Sequence, residues 1–241
     1  YAWFIEQLLA NDNVLYADEE NGRNGNNPSK VMYEKQLPVI LNWMQNMNKE
    51  KLAVNYGREW NSTRSAFNSG KVAMYLDSSA GLTAVIKNSD FEVGTAFIPN
   101  ESGVFNGSVI GGASLWITNS NNIAKEDAAW DFVKYAVSKD VQAFWSASTG
   151  YFPVNKDSYE TATMAEVMEK MPQFRTVVEE LKATNKNRAT QGAILGVFPD
   201  VREKMVEAME AVSEGKDGNK AAADVAKASN RIISRYNRIN K

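Results

Sequence analysis

The stretch Ser108-Val109-Ile110-Gly111-Gly112-Ala113-Ser114-Leu115-Trp116-Ile117 constrains the fold of this chain more than any other. It reads as a buried β-strand interrupted by a glycine pair. Adjacent glycines weaken a strand, so they mark a bulge or a place where something approaches the backbone closely. One reading is a structural bulge. The other is a crossing between two lobes, with the glycine amides of Gly111 and Gly112 facing a ligand.

Residue types elsewhere narrow the chemistry. The chain has no histidine and no cysteine. No Ser-His-Asp or Cys-His nucleophile pair can therefore be assembled. Thiolate and imidazole metal sites and redox dithiols are excluded as well. Catalysis would fall to carboxylate, Lys, Tyr or Ser-Lys chemistry, or to a hard metal on carboxylates. A length of 241 residues allows one large domain or one and a half ordinary ones. A net charge of −2 gives no electrostatic case for nucleic acid or an anionic membrane as partner. No apolar run approaches the length of a membrane span. The chain opens on Tyr1-Ala2-Trp3-Phe4-Ile5-Glu6-Gln7-Leu8-Leu9, an amphipathic helix already in progress, without a signal peptide, an initiating methionine or a capping residue. That opening points to a piece of a longer protein.

In chain order, a first helix is expected over 1–11, with Trp3, Phe4, Leu8 and Ile5 on its buried side. Asp18–Pro28 reads as a polar surface loop, and a long helix is expected over 29–49, kinked or started early by Pro38. Ser62–Gly70 reads as a short helix closed by a glycine. It feeds a strand at Val72–Leu76, which stops at Asp77-Ser78-Ser79 before helix resumes over Ala80–Lys87. A Ser-Ser turn between strand and helix presents hydroxyls and amides together, either as a plain N-cap or as a seat for an anion or sugar hydroxyl. Phe91–Ile98 reads as a further strand. Helices follow at 125–137, with Ala129, Trp130, Val133, Ala136 and Val137 as the inner stripe, and at 139–146. Tyr151 sits beside the glycine turn of Thr149-Gly150-Tyr151-Phe152-Pro153-Val154, placed to stack on a ligand or simply to pack. The last third reads as helices near 157–170, 172–184, 198–214 and 219–238. Arg202 falls about one turn into the helix opened by Pro199. It is either a solvated arginine or a partner for carboxylate or phosphate. Arg231, Arg235 and Arg238 form a solvated face.

The order of Gly70-Lys71-Val72-Ala73-Met74, Ser78-Ser79, Ile110-Gly111-Gly112-Ala113-Ser114-Leu115-Trp116, Ala129-Trp130-Asp131-Phe132, Thr149–Val154 and Pro199-Asp200-Val201-Arg202 resembles the extracellular solute-binding proteins of ABC importers. The resemblance is closest to the glycerol-3-phosphate-binding branch and covers nearly the whole chain. Each motif alone is weak; their joint order and spacing are specific.

The resemblance implies an α/β, periplasmic-binding-protein-like (type II) fold whose two lobes close on a ligand. It implies that 1–107 and 153–241 make the C-terminal lobe, and that 108–152 is a hinge strand and a helical excursion of the N-terminal lobe, most of which precedes residue 1. It further implies a monomeric binding component without catalysis, cofactor or nucleic-acid partner. Such a component captures a sugar or glycerophosphate and delivers it to ABC permease subunits. Its location would be extracellular or periplasmic, tethered as a lipoprotein. Matched motif by motif, ligand contacts fall to Ser78 or Ser79, to the amide of Gly112 or Gly111, to Tyr151, to Arg202 as phosphate partner, and to Trp3 as a stacking ring. One departure is that the branch has a basic residue near Ile194, where this chain is aliphatic, which keeps a sugar or oligosaccharide open. The alternatives are a carboxylate-based glycosidase and a helical adaptor. The first needs two acids about 5–10 Å apart in a cleft, whereas Glu179, Glu180 and Glu203 read as surface residues. The second would need neither the glycine pair nor the Ser-Ser turn.

Overall fold

The structure is a computed structural model, in which residues 2–100 and 103–240 are described; Tyr1, expected in the first helix, lies outside them. In chain order the helices are α1 (Ala2–Asn11), α2 (Leu37–Lys49), α3 (Trp60–Asn68), α4 (Leu82–Lys87), α5 (Ile123–Ala136), α6 (Lys139–Thr149), α7 (Ala162–Lys170), α8 (Phe174–Ala183), α9 (Phe198–Ser213) and α10 (Gly218–Ile239). Local chemistry sets their ends. The Asn122 side chain accepts from the Lys125 amide at 3.2 Å and that of Asp217 from the Lys220 amide at 2.9 Å, each capping a helix start. Helix α6 ends where Gly150 turns left-handed at φ +110. The helix expected from residue 29 instead begins at Leu37, because Pro38 has no amide to donate and fits only a first turn.

The strands expected at Val72–Leu76, Phe91–Ile98 and Ser108–Ile117 are not formed as ladders. Among the described residues the chain there is irregular, and pairing is limited to a single bridge, Ala17 to Val31. A β-branched, aromatic pattern says that a segment suits a pleated surface, but a ladder also needs a neighbour.

The chain divides into two compact units, residues 1–62, 98–110 and 183–241, and residues 63–97 and 111–182. The core of the first is built by Ile5 and Leu9 of α1, Leu37 and Leu41 of α2, Val201, Met205 and Val212 of α9, and Val225 and Ile233 of α10. Helix α1 is sunk deeper than its expected stripe. Ala2, Ile5 and Leu9 are buried while Trp3, Phe4 and Leu8 are half-buried, and the polar Glu6, Gln7 and Asn11 are buried too.

Two of those buried polar side chains, Gln7 and Asn11, are spent on backbone, as burial requires. The Gln7 amide donates to the Val109 carbonyl at 3.0 Å and accepts from the Val109 amide at 2.7 Å. One turn on, Asn11 donates to the Ile98 carbonyl at 3.1 Å and accepts from the Asn106 amide at 3.0 Å. Spaced i and i+4, these two side chains share a face and hold a segment that is in no strand ladder among the described residues. The polar loop after Asp18 contains one helical turn, Asp18–Gly22, whose Glu19, Glu20 and Asn21 are left-handed at φ 52, 54 and 60. Asn21 secures it, accepting from the Ala17 amide and donating to the Arg188 carbonyl, both at 2.8 Å.

The second unit packs Leu82, Ala143, Met164, Val167 and Phe174 into one cluster and Phe67, Val85 and Val93 into another. Helix α5 has no buried residue. Of its expected inner stripe Ala129, Val133 and Ala136 are half-buried, whereas Trp130 is 53% and Val137 42% exposed. The periodicity is present, but among the described residues nothing covers that face fully.

Candidate ligand-binding site

In the first unit, Ala2, Trp3, Arg58, Arg202, Glu203 and Val206 line an open cleft of about 300 Å³. Helix α1 supplies Trp3 from its first turn and α9 supplies Arg202 from its second, so two of the residues that the sequence singles out share one hollow. The Trp3 ring lies 5.6 Å from that of Phe4, which lies 5.8 Å from that of Trp60, giving a run of three aromatic rings.

Arg202 is already engaged. Its Nε donates to Oε1 of Glu6 at 2.6 Å and its Nη2 to Oε2 at 2.7 Å, a bidentate pair. The guanidinium carbon lies 4.4 Å from the centroid of the Phe198 ring. The hydrogen bonds to Glu6 hold its pKa above the ordinary arginine value against the opposing effect of burial. Nη1 makes no hydrogen bond among the described residues.

No sequence signal marks Arg58, Glu203 or Glu210 as a site residue, since charges in a polar loop or on a helix face usually point to solvent. Arg58 donates from Nε and Nη2 to Glu210 at 2.6 and 2.7 Å, and from Nη1 to Glu203 at 2.8 Å. The hydrogen bonds to these two carboxylates push the Arg58 pKa further up, and Arg58 in turn holds Glu210 below the usual carboxylate value. No local pattern pairs residue 58 with 203 and 210; only the tertiary fold does.

In the second unit, Asp77 organises the Ser-Ser turn. It accepts from Arg64 Nε at 2.8 Å, from the Tyr75 hydroxyl at 3.0 Å and from the Ser78 amide at 2.7 Å. Ser78 is an N-cap, its hydroxyl accepting from the Ala80 amide at 3.3 Å. Ser79 makes no side-chain hydrogen bond among the described residues, which distinguishes the two serines. The Ser79 carbonyl sits where a Cβ on Gly150 would be, so only glycine lets the chain pass there. Tyr151 follows that contact and is 39% exposed, its amide donating to the Thr149 hydroxyl at 3.2 Å. The structure thus brings Ser78, Ser79 and the Tyr151 turn together. Gly111 and Gly112 are exposed; Gly112 has φ +152, and a Cβ there would meet nothing within 4 Å.

Residues 1–176 match the family model described as bacterial extracellular solute-binding protein, and the chain belongs to that family. Over 242 residues it is 27% identical to the sn-glycerol-3-phosphate-binding periplasmic protein of Yersinia pseudotuberculosis, covering 98% of this chain and 55% of the relative. Among solved structures, it is similar to the cyclic α-maltosyl-1,6-maltose binding protein of Arthrobacter globiformis, with a TM-score of 0.72 at 20% identity over 97% of this chain and 56% of that one. The UgpB protein of Mycobacterium tuberculosis in complex with glycerophosphocholine gives a TM-score of 0.73 at 17% identity, over 92% of this chain and 56% of that one. The chain therefore has the periplasmic-binding-protein-like fold, and it spans about half the length of these relatives.

Proposed function

We propose that this chain is part of the substrate-binding component of an ABC importer, which captures a sugar or glycerophosphate-like solute and delivers it to permease subunits without transforming it. The single observation that carries the reading is the cleft in which Trp3 and Arg202 meet, in a chain of the solute-binding family. An aromatic face beside a few directed polar groups is the usual make-up of a small-molecule site. The carboxylates in and beside it, Glu203 and Glu210 on one arginine and Glu6 on the other, are all engaged in ion pairs, so none of the three is left for glycosidase chemistry. Ser78 or Ser79, Tyr151 and the amide of Gly111 or Gly112 belong to this reading as further ligand contacts. So do the lobe boundaries at 107 and 152, a monomeric state, and an extracellular or periplasmic location with a lipid anchor. No described helix is long and apolar enough to cross a membrane.

Calorimetric titration of the full-length protein with maltose, glycerol-3-phosphate and glycerophosphocholine tests the reading. Saturable binding of at least one of them, without its chemical conversion, is the expected result. Turnover of a glycoside in the same sample would favour the enzyme instead.

A further inference from the structure

The cleft of the first unit carries two guanidinium groups, and both are answered by carboxylates. Arg202 shares two of its hydrogen-bonding nitrogens with Glu6, which is 8% exposed. Arg58 commits all three nitrogens to Glu203 and Glu210. Lys204, next along α9, is paired with Glu207 at 2.6 Å. The two arginines in and beside the hollow therefore face three negative charges. We infer that Glu6, Glu203 and Glu210 are specificity-determining residues, which cancel the arginines and make this cleft select an uncharged polyol or sugar over a phosphate monoester. The inference rests on the proposed function and goes beyond it by choosing between the two ligand classes.

A phosphate needs an unopposed cation, because its recognition is dominated by charge-assisted hydrogen bonds. To find one here it would have to pull Arg202 from Glu6 and leave a nearly buried carboxylate unpaired, which is strongly unfavourable. A sugar hydroxyl needs no net charge. It accepts from the remaining Nη1 edge of Arg202, a donor held still by the bidentate pair and by the Phe198 ring beneath it. The apolar face of a sugar ring can then lie on Trp3, for which a phosphate has no use. Glu6 acts through Arg202 and so is a positioning residue as well as a charge screen.

The test is calorimetric titration of the full-length protein with maltose and with glycerol-3-phosphate. It compares wild type, Glu6→Gln and the doubly substituted Glu203→Gln/Glu210→Gln. The double substitution lies on exposed or half-exposed positions and tests the idea even where Glu6→Gln fails to fold. Wild type is expected to bind maltose at least ten-fold more tightly than glycerol-3-phosphate. Each variant is expected to shift the ratio of glycerol-3-phosphate to maltose affinity by about five- to ten-fold toward glycerol-3-phosphate, a change that a merely structural loss, weakening both alike, would not produce. A wild-type preference for glycerol-3-phosphate, or variants that leave that ratio unchanged, would overturn the inference while leaving the proposed function standing. Binding by wild type of none of maltose, glycerol-3-phosphate and glycerophosphocholine would overturn both.

Discussion

Gln7 does with a side chain what a β-strand does with its backbone: it gives Val109 both a donor and an acceptor. Replacing it with alanine leaves an amide and a carbonyl unanswered, at a cost of about 1–3 kcal/mol. Urea denaturation of Gln7→Ala is expected to show that loss, and an unchanged midpoint would refute the role. Tyr33 is buried, its hydroxyl donating to the Ser229 hydroxyl at 3.1 Å, and burial raises its pKa to about 12. Tyr16 packs edge-on against it at 4.9 Å and is pushed up by the same cause. Below about pH 10 both folded and unfolded chains keep these protons, and stability is unaffected. From about pH 10 to 12 only the unfolded chain gives up the Tyr33 proton, so stability falls by about 1 kcal/mol per pH unit through this residue, and burial of Tyr16 acts in the same direction. Denaturation midpoints taken across that window should drop steeply, and Tyr33→Phe should flatten the slope. An equal slope in the variant would contradict the assignment.

At the scale of elements, the helices are legible in the sequence and the strands are not. Helix ends are written locally, by Gly70, Asn122, Gly150 and the prolines at 38 and 199, so they can be read residue by residue. The segment 29–36 misleads because Val31 continues an apolar spacing that Pro38 physically ends. The apolar runs at 72–76 and 108–117 describe only half of a ladder. Likewise α5 shows a helical stripe whose cover is not encoded in the helix itself. Burial therefore separates two kinds of apolar residue in the second unit. Met164 is fully buried, and Met164→Ala should destabilise by about 2–5 kcal/mol. Trp130 is 53% exposed, and in this chain Trp130→Gln should change stability by no more than about 0.5 kcal/mol. Thermal melts of the two variants compare them directly, and similar losses would contradict this division.

At the scale of the whole molecule, the lack of histidine and cysteine excludes Ser-His and Cys-His nucleophile pairs and imidazole or thiolate metal sites, and the family that residues 1–176 match is one of solute-binding proteins. The candidate site is legible in part. The family resemblance points to Trp3 and Arg202, and both line one cleft; Glu6, Arg58 and Glu210 are invisible in the sequence because ion pairs across 145 to 196 residues leave no local trace. The proposed function places solute capture in the cleft these residues build. Titration of the full-length protein against a Trp3→Ala/Arg202→Ala variant, using whichever of maltose or glycerol-3-phosphate wild type binds more tightly, tests it most directly. The account predicts a loss of affinity of at least about 30-fold with the fold intact by circular dichroism. Undiminished binding by the doubly substituted protein would contradict it.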